Sequence, residues 1–190
     1  MQDLQSSAEG LRDLTCGPDA PLVWGEGNLS APVAFVGEAP GAHEEAARRP
    51  FVGPAGQILA RELDLAGIAR DKAYITNVVK RRPTRTLGTL RSNRTPSEGE
   101  ARAWREVLNR ELEIVGPSIL VCLGAVAASA LIHPGFAISA ERGRWFRGLL
   151  GARAIATFHP AYLLRRGQHR EALLEFRQDL NSVAQAVREL

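Results

Sequence analysis

Three short segments hold the side chains of this sequence that could take part in chemistry, and each one follows a run of apolar residues. GEAPG holds Glu38 in a glycine-rich turn, TNVVK holds Asn77, and FHPAYLLRR holds His159. A carboxylate can orient a water molecule, an amide offers both a donor and an acceptor, and an imidazole can donate a hydrogen bond. Each residue alone also has a plain structural explanation: a solvated acid, a backbone-capping amide or a histidine in a turn.

The glycine-rich turn differs from the loops that bind phosphate. It matches neither the P-loop pattern nor the dinucleotide fingerprint, and Glu44 and Glu45 follow it closely. Acids at this place would repel a phosphate, although they could orient a water molecule. We therefore expect the turn to hold no phosphate at its centre, and we expect arginines on other strand-end loops to take that role.

Basic residues are concentrated in patches rather than spread evenly along the chain. The patches are KRRPTRTLGTLRSNR at 80–94, RGRWFR at 142–147 and LLRR at 163–166. Local positive charge of this kind suits a nucleic-acid backbone, and the net charge is +3. In the third patch, leucine could enter a duplex as a wedge between bases while the neighbouring arginine holds a phosphate.

Continuous apolar runs alternate with helical patterns along the chain, which predicts an α/β fold with a parallel sheet covered on both faces. In such a sheet the functional loops lie at the carboxyl ends of the strands, where all three segments fall. The predicted strands are 31–37, 72–79, 118–124 and 152–158. The predicted helices are 1–14, 55–68, 95–115, 125–132 and 168–190, and 84–92 is predicted to be a mobile loop.

Length and composition set further bounds. The 190 residues predict a single domain over 1–190 with a full hydrophobic core. No apolar run is long enough for a membrane span, and the polar, acidic start does not resemble a signal peptide, so a cytoplasmic location is expected. Two cysteines, Cys16 and Cys122, are too few for a disulfide scaffold or a self-contained metal site.

The motifs also occur in a characteristic order: GEAPG, RPFVGPAGQIL, YITNVVKRRP, NRTPSEGE, LVCLGAVAA, RGRWF and FHPAYLLR. This series resembles the uracil-DNA glycosylase superfamily, and within it the iron–sulfur-containing family 4, over about residues 24 to 166. The resemblance implies a three-layer α/β/α sandwich around a four-stranded parallel sheet. It also implies hydrolysis of the N-glycosidic bond of a flipped deoxyuridine, which leaves an abasic site for base excision repair.

The resemblance implies a role for individual residues. Glu38 and Ala39 would lie near the uracil O2 and the attacking water, and His159 would stabilise negative charge on O2. The uracil-binding residues would be Gly37 through its backbone, Glu44 close to the base, Phe51 stacked on the ring, and Asn77 at the O4/N3 edge. The DNA-contacting residues are predicted to be Lys80, Arg81, Arg82, Leu163, Leu164 and Arg165.

The sequence departs from the family pattern at the catalytic turn and at the cluster. Many members of the superfamily carry an aspartate where this chain has Ala39, so we expect slower turnover. The resemblance implies four cluster cysteines, but Arg81 stands at the third position and the fourth falls near Trp104. One thiolate in the N-terminal region cannot hold a [4Fe–4S] cluster, so we predict no cluster and no other cofactor or metal.

The stretch between KRRP and NRTP is longer than is typical of family 4. A relative that traps uracil-DNA covalently carries a histidine nucleophile here, two residues before the Thr-Pro, where this chain has Asn93. We therefore expect ordinary turnover without a stable covalent adduct. The arginine-rich loop is expected to clamp DNA.

The leading prediction is a monofunctional uracil-DNA glycosylase that acts as a monomer on single- or double-stranded DNA, associated with the nucleoid through that DNA and without a membrane partner. One alternative is a protein that binds uracil or abasic sites with weak or no catalysis, as Ala39 and the missing cysteines suggest. Another is a glycosylase with a preference for hypoxanthine or xanthine. Asn77 favours uracil, because its amide complements the pyrimidine edge.

Overall fold

A computed structural model describes residues 20–164 and 169–190. The described strands follow the apolar runs and the hairpin segment of the sequence. Their bounds are β1 Glu26–Gly27, β2 Val33–Gly37, β3 Tyr74–Asn77, β4 Thr84–Leu87, β5 Leu90–Asn93, β6 Ile119–Leu123, β7 Trp145–Arg147 and β8 Arg153–Thr157. All four predicted strands are present, each a few residues shorter than the apolar pattern indicated.

Most of the described helices lie between strands, and the last two follow the final strand. Their bounds are α1 Ala42–Ala47, α2 Pro54–Leu65, α3 Glu98–Ala103, α4 Arg105–Val115, α5 Ala125–Leu131, α6 Ile138–Glu141, α7 Pro160–Leu163 and α8 His169–Arg188. Short 3-10 turns cover Arg70–Lys72 and Leu149–Gly151. None of these helices combines the length and apolar composition that crossing a bilayer requires.

Six of the described strands form the central sheet, in the order β1-β3-β2-β6-β8-β7. The four inner strands are parallel, and β1 and β7 pair antiparallel at the two edges. The α/β class with a parallel core is confirmed, but the count of four strands was too low. The edge strands are only two and three residues long and incompletely buried, so no apolar run marks them in the sequence.

Strand β2 shows how both faces of the sheet are covered. Its residues alternate between two apolar clusters, with Ala34 and Val36 on one face and Val33 and Phe35 on the other. Helices pack on both clusters, and Phe176 of α8 joins the second one. The chain is therefore the three-layer α/β/α sandwich that the sequence predicted.

Two predicted elements take a different form. The helix predicted over 95–115 divides at Trp104, whose backbone ends α3 and begins α4 while its side chain is buried in the core. The loop at 84–92 is a β-hairpin, because β4 and β5 pair antiparallel across a two-residue turn that begins with Gly88 at φ +59°. The predicted helix 1–14 lies outside the described residues, as does Cys16.

Candidate active site

A cavity of about 890 Å³ opens at the carboxyl edge of the parallel strands. The turn after β2, the end of β3, the base of the hairpin and the segment after β8 all contribute to its wall. Glu38, Ala39, Glu44, Asn77 and His159 line this cavity together, as does Phe51. The structure thus brings into one place residues that lie more than 100 positions apart in the chain.

Glycine at position 37 allows two site residues to approach the backbone. A Cβ there would lie 2.4 Å from Cζ of Phe51 and 2.5 Å from Oδ1 of Asn77, so any side chain would displace both. Phe51 itself has a φ of +52°, a left-handed conformation that non-glycine residues rarely adopt. Its carbonyl packs against Gly56, where a Cβ would come within 1.9 Å of it. The buried ring is therefore held in place by the surrounding backbone.

Glu44 fixes the shape of the loop between β2 and α2. Its Oε1 accepts hydrogen bonds from the N–H groups of Val52, at 3.0 Å, and Gly53, at 2.7 Å, and its Oε2 accepts one from Gly41, at 3.1 Å. Three backbone donors thus converge on one carboxylate. Charge-assisted bonds of this kind are stronger than neutral ones, so Glu44 ties the glycine-rich turn to the start of α2.

Asn77 ends β3 with an amide that is 2% exposed and borders the cavity. Its Oδ1 has no hydrogen-bond partner among the described residues. An unpaired buried acceptor costs about 1–3 kcal/mol, so most such atoms in proteins have partners. Here the position at the cavity wall allows a ligand to supply the missing donor.

Lys80 follows the same strand but points away from the cavity. Its side chain is 0% exposed and its Nζ donates to Glu111, to the Thr76 hydroxyl at 2.7 Å and to the Asn77 carbonyl at 2.6 Å. Burial lowers the pKa of the Lys80 ammonium, and the Glu111 carboxylate opposes that effect. A lysine in this position cannot reach a DNA phosphate, which corrects the prediction that Lys80 contacts DNA.

Glu111, on α4, accepts further hydrogen bonds from the same region. The Tyr74 hydroxyl and the Gly25 N–H donate to its Oε1, both at 3.0 Å, and the Thr76 hydroxyl donates to its Oε2 at 2.9 Å. Both of its oxygens are therefore fully used inside the protein. Strand β3, the adjoining edge of the sheet and helix α4 are joined by this single carboxylate.

His159 follows β8 directly and carries its ring at the cavity. Its Nδ1 accepts the N–H of Ala161 at 3.1 Å, so the neutral ring carries its hydrogen on Nε2. Burial lowers the pKa of His159 to about 4, despite the opposing charge of Glu44. The ring centroid lies 5.8 Å from that of Phe51. At neutral pH the side chain is therefore an uncharged donor beside an aromatic face.

The arginines after Lys80 occupy different environments. Arg81 is buried and donates to the carbonyl of Ala20. The prediction that Arg81 contacts DNA is corrected for the same reason as that for Lys80. Arg82 borders the cavity and donates to Oδ1 of Asn93 at 2.6 Å and to Glu45 at 3.0 Å. Of the predicted run 80–82, only Arg82 reaches the site, and it does so with its own carboxylate partner.

The predicted leucine wedge is divided between core and surface. Leu163 is buried in the second apolar cluster, because α7 turns its side chain toward the sheet. Leu164 is 45% exposed and lines the cavity, which leaves it available for contact with a ligand. Arg165 lies outside the described residues, so its predicted role stays a prediction.

The cavity is also lined by residues that the sequence analysis did not single out, among them Arg85, Arg94 and Tyr162. The two arginines belong to the basic patch, but their approach to the site depends on the hairpin fold. Tyr162 lies three residues after His159, and α7 brings it back to the cavity. Its position in FHPAYLL was the available signal.

Among the described residues, no group of three or more histidine, cysteine, aspartate or glutamate side chains could hold a metal ion. Cys122 lies within β6, and burial raises the pKa of its thiol to about 12. A thiol with this pKa stays protonated and is a poor metal ligand.

The fold and the cavity together describe a binding site for a small ligand. A three-layer sandwich presents a neutral imidazole, an unpaired amide oxygen and an aromatic ring at the ends of its parallel strands, which is an arrangement for a small, planar, polar ring. Residues 24–181 match the family model described as the uracil DNA glycosylase superfamily. The chain belongs to this superfamily, and the predicted resemblance and enzyme class are confirmed at that level.

Individual relatives agree with this assignment. The chain is 43% identical to a Type-4 uracil-DNA glycosylase of Thermotoga maritima over 145 residues, which is 76% of this chain and 72% of that protein. It is 36% identical over 171 residues to a protein of the same name from Archaeoglobus fulgidus, covering 85% and 79% of the two chains. A third, from Pyrobaculum aerophilum, is 37% identical over 163 residues, covering 82% and 78%.

Proposed function

We propose that this protein excises uracil from DNA by hydrolysing the N-glycosidic bond of deoxyuridine, which leaves an abasic site. One observation carries the proposal: an Asn77 Oδ1 without a described partner and a neutral His159 line the same cavity, together with Phe51. Uracil offers an N–H donor and two carbonyl acceptors on a flat ring, which matches these groups. The names of the relatives support the same substrate.

Asn77 supplies the selectivity in this proposal. Its Oδ1 accepts the N3–H of uracil and its amide N–H donates to O4. Cytosine reverses both groups, with an acceptor at N3 and a donor at C4, so it leaves the amide unsatisfied. Stacking on Phe51 contributes about 1–3 kcal/mol toward the cost of flipping the nucleotide out of the duplex.

His159 acts on the leaving group. The bond between C1′ and N1 breaks with its electron pair passing to uracil, whose negative charge spreads to O2. The Nε2–H of His159 donates to that oxygen, and a donor aimed at developing charge contributes about 2.7–4 kcal/mol. Water then adds its oxygen to C1′ and releases a proton to solvent. A pKa of about 4 keeps His159 neutral throughout this step at neutral pH.

The turn after β2 receives the attacking water in this proposal. Glu38 and Ala39 border the cavity on the side of that turn, and Glu38 orients the water. Ala39 has no carboxylate to act as a base, so stabilisation of the leaving group carries most of the catalysis and turnover is slow. Glu44 acts indirectly, because its oxygens hold the loop that carries Phe51 and the turn.

The residues of this chain do not fit the iron–sulfur cluster that the family 4 resemblance implies. The sequence has two cysteines where four thiolates are needed, and one of them lies buried in β6. Trp104, near the expected fourth ligand, packs in the apolar core. We therefore propose an enzyme without a cluster, and we expect iron analysis and the visible absorbance of the purified protein to detect none.

A second candidate function is recognition of uracil or abasic sites without efficient excision. Ala39 favours it, because this position borders the cavity and lacks an acid. Single-turnover excision separates the two functions: tight binding without release of uracil supports recognition alone, whereas multiple turnover excludes it.

The decisive experiment is an excision assay on oligonucleotides that contain uracil, hypoxanthine or xanthine, in single strands and opposite guanine or adenine. We expect alkali-labile sites at uracil. Asn77→Ala and His159→Ala should lose this activity, and His133→Ala, outside the cavity lining, should keep it. Failure of the wild type to release any uracil, or equal release by all three variants, would contradict the proposal.

We also propose that the protein acts in the cytoplasm, associated with the nucleoid through its DNA substrate. We propose that it acts as a monomer. Light scattering during size-exclusion chromatography tests the oligomeric state directly. A mass of two chains would overturn the monomer.

A further inference from the structure

The β4–β5 hairpin exposes an apolar tip next to the cavity. Leu87 and Leu90 are 82% and 73% exposed, which is more than any other large apolar side chain in the part of the chain that the structure describes. They are direct cross-strand partners on either side of the turn at Gly88. Two apolar side chains displayed together in water mark a contact surface rather than a packing defect.

One face of this hairpin combines apolar and basic side chains. Residues two apart on a strand share a face, and the register pairs Arg85 with Ser92 and Leu87 with Leu90, so these four lie together. Arg85 donates to the Ser92 hydroxyl at 3.2 Å and forms no ion pair with any described residue. Arg85 and Leu87 are two residues apart on β4, so their Cα atoms are separated by about 7 Å, which is about two base steps of DNA.

Ion pairs hold this hairpin against the cavity wall. Glu45 of α1 accepts two hydrogen bonds from Arg91, at 3.0 and 3.2 Å, and one from Arg82, at 3.0 Å. Arg85 and Asn93 of the hairpin line the cavity, as does Leu164 after α7. A DNA strand that delivers a base into the cavity must pass beside the hairpin.

We propose that the hairpin is a second DNA-contacting element, separate from the segment after β8. Arg85 binds a phosphate next to the flipped nucleotide, and the Leu87–Leu90 pair packs on neighbouring bases of the same strand. The inference rests on the proposed uracil excision, because it assumes that DNA enters this cavity. Nucleic acid is the partner that fits both an unpaired arginine and an apolar pair that can pack against flat bases.

A double variant tests the tip. The ratio of kcat/KM on a long uracil-containing oligonucleotide to kcat/KM on a uracil-containing trinucleotide should fall about 10-fold in Leu87→Ser/Leu90→Ser, because only the long substrate reaches the tip. Leu65→Ser is the matched control, since Leu65 is an exposed leucine at the end of α2 and does not line the cavity. Its ratio should equal that of the wild type.

Arg85→Ala tests the phosphate contact. The slope of log affinity against log salt concentration, measured by fluorescence anisotropy on the long oligonucleotide, should become shallower by about 1. Its thermal unfolding midpoint should match that of the wild type, which excludes a folding defect. An unchanged slope would remove Arg85 from the proposal.

The outcomes separate the hairpin from the excision itself. If Leu87→Ser/Leu90→Ser keeps the wild-type ratio, the tip does not contact DNA and this inference is wrong. If the wild type releases no uracil, the proposed function fails. The anisotropy measurement on the same oligonucleotide then tests by itself whether the hairpin contacts DNA. Equal affinity of wild type and double variant in that measurement would also overturn it.

Discussion

Two groups of buried polar atoms lie on opposite sides of the end of β3, one residue apart in sequence. On one side, the Thr76 hydroxyl joins Lys80 and Glu111 in a network in which each charged group has several partners. On the other side, the Asn77 amide oxygen has no partner among the described residues. His159 also lines the cavity there, and its ring hydrogen is on Nε2. The same strand therefore carries a saturated network and an unsaturated one.

The difference separates what holds the protein together from what the protein offers to a ligand. Buried groups that find partners inside the chain add rigidity, and removing one partner is costly because the other is left unpaired. Groups left unsatisfied at a cavity lower the stability of the free protein, and they gain a partner when a ligand binds. Mutations on the two sides of β3 should therefore affect different measurements.

Lys80→Met should give the largest effect, on stability. Methionine fills a similar volume but leaves the Glu111 carboxylate buried without its cation, so the free energy of unfolding should fall by about 3–5 kcal/mol. Denaturant unfolding at neutral pH measures this loss.

Lys80→Met/Glu111→Gln is the matched control for that variant. Glutamine keeps an acceptor for the Tyr74 hydroxyl and the Gly25 N–H but carries no charge, so most of the lost stability should return. A loss below about 1 kcal/mol in Lys80→Met, or an equal loss in both variants, would contradict a buried ion pair at this place.

Asn77→Ala should produce the opposite pattern. The kcat/KM for uracil excision should fall about 100-fold, which corresponds to about 2.7 kcal/mol of transition-state binding. The free energy of unfolding should change by less than about 1 kcal/mol, because the variant also removes an unpaired buried acceptor. A large loss of stability with unchanged excision would show that Asn77 belongs to the structural side of the comparison.

The pH dependence of stability provides a third test, on His159. Its pKa is about 4 in the folded protein and near 6.5 in the unfolded chain, so the unfolded chain binds more protons between these values. Stability should therefore decrease as the pH falls from 6.5 to about 4, with no contribution from this group above that range. His159→Gln should lack this component, and parallel stability curves for both proteins would contradict a partly buried, neutral histidine.

Tyr74→Phe should give the smallest effect, again on stability. It removes one hydroxyl donor from Glu111 but leaves the Gly25 N–H on the same oxygen, so the cost should be about 1 kcal/mol. Excision should be unaffected, because Tyr74 does not line the cavity. Reduced excision at unchanged stability would show that the network also positions the Asn77 amide.

Much of the fold was predictable because its inner strands are continuous apolar runs, and such runs indicate a buried parallel sheet. The edge strands β1 and β7 were missed because they are short and partly exposed, so their pairing depends on the neighbouring strand. The break at Trp104 was missed for a similar reason: the helical pattern continues through it, and only the packing of its side chain in the core marks the bend.

The sequence by itself determined the parallel core and singled out Glu38, Asn77 and His159 at the cavity, because both depend on local apolar runs and on motifs at strand ends. Only the tertiary structure decided what the basic stretch does. Lys80 and Arg85 look alike in sequence, yet Lys80 is buried against Glu111, 31 residues away, and Arg85 lies exposed on a hairpin. Burial depends on partners brought together by folding, which the local sequence of a charged run does not contain.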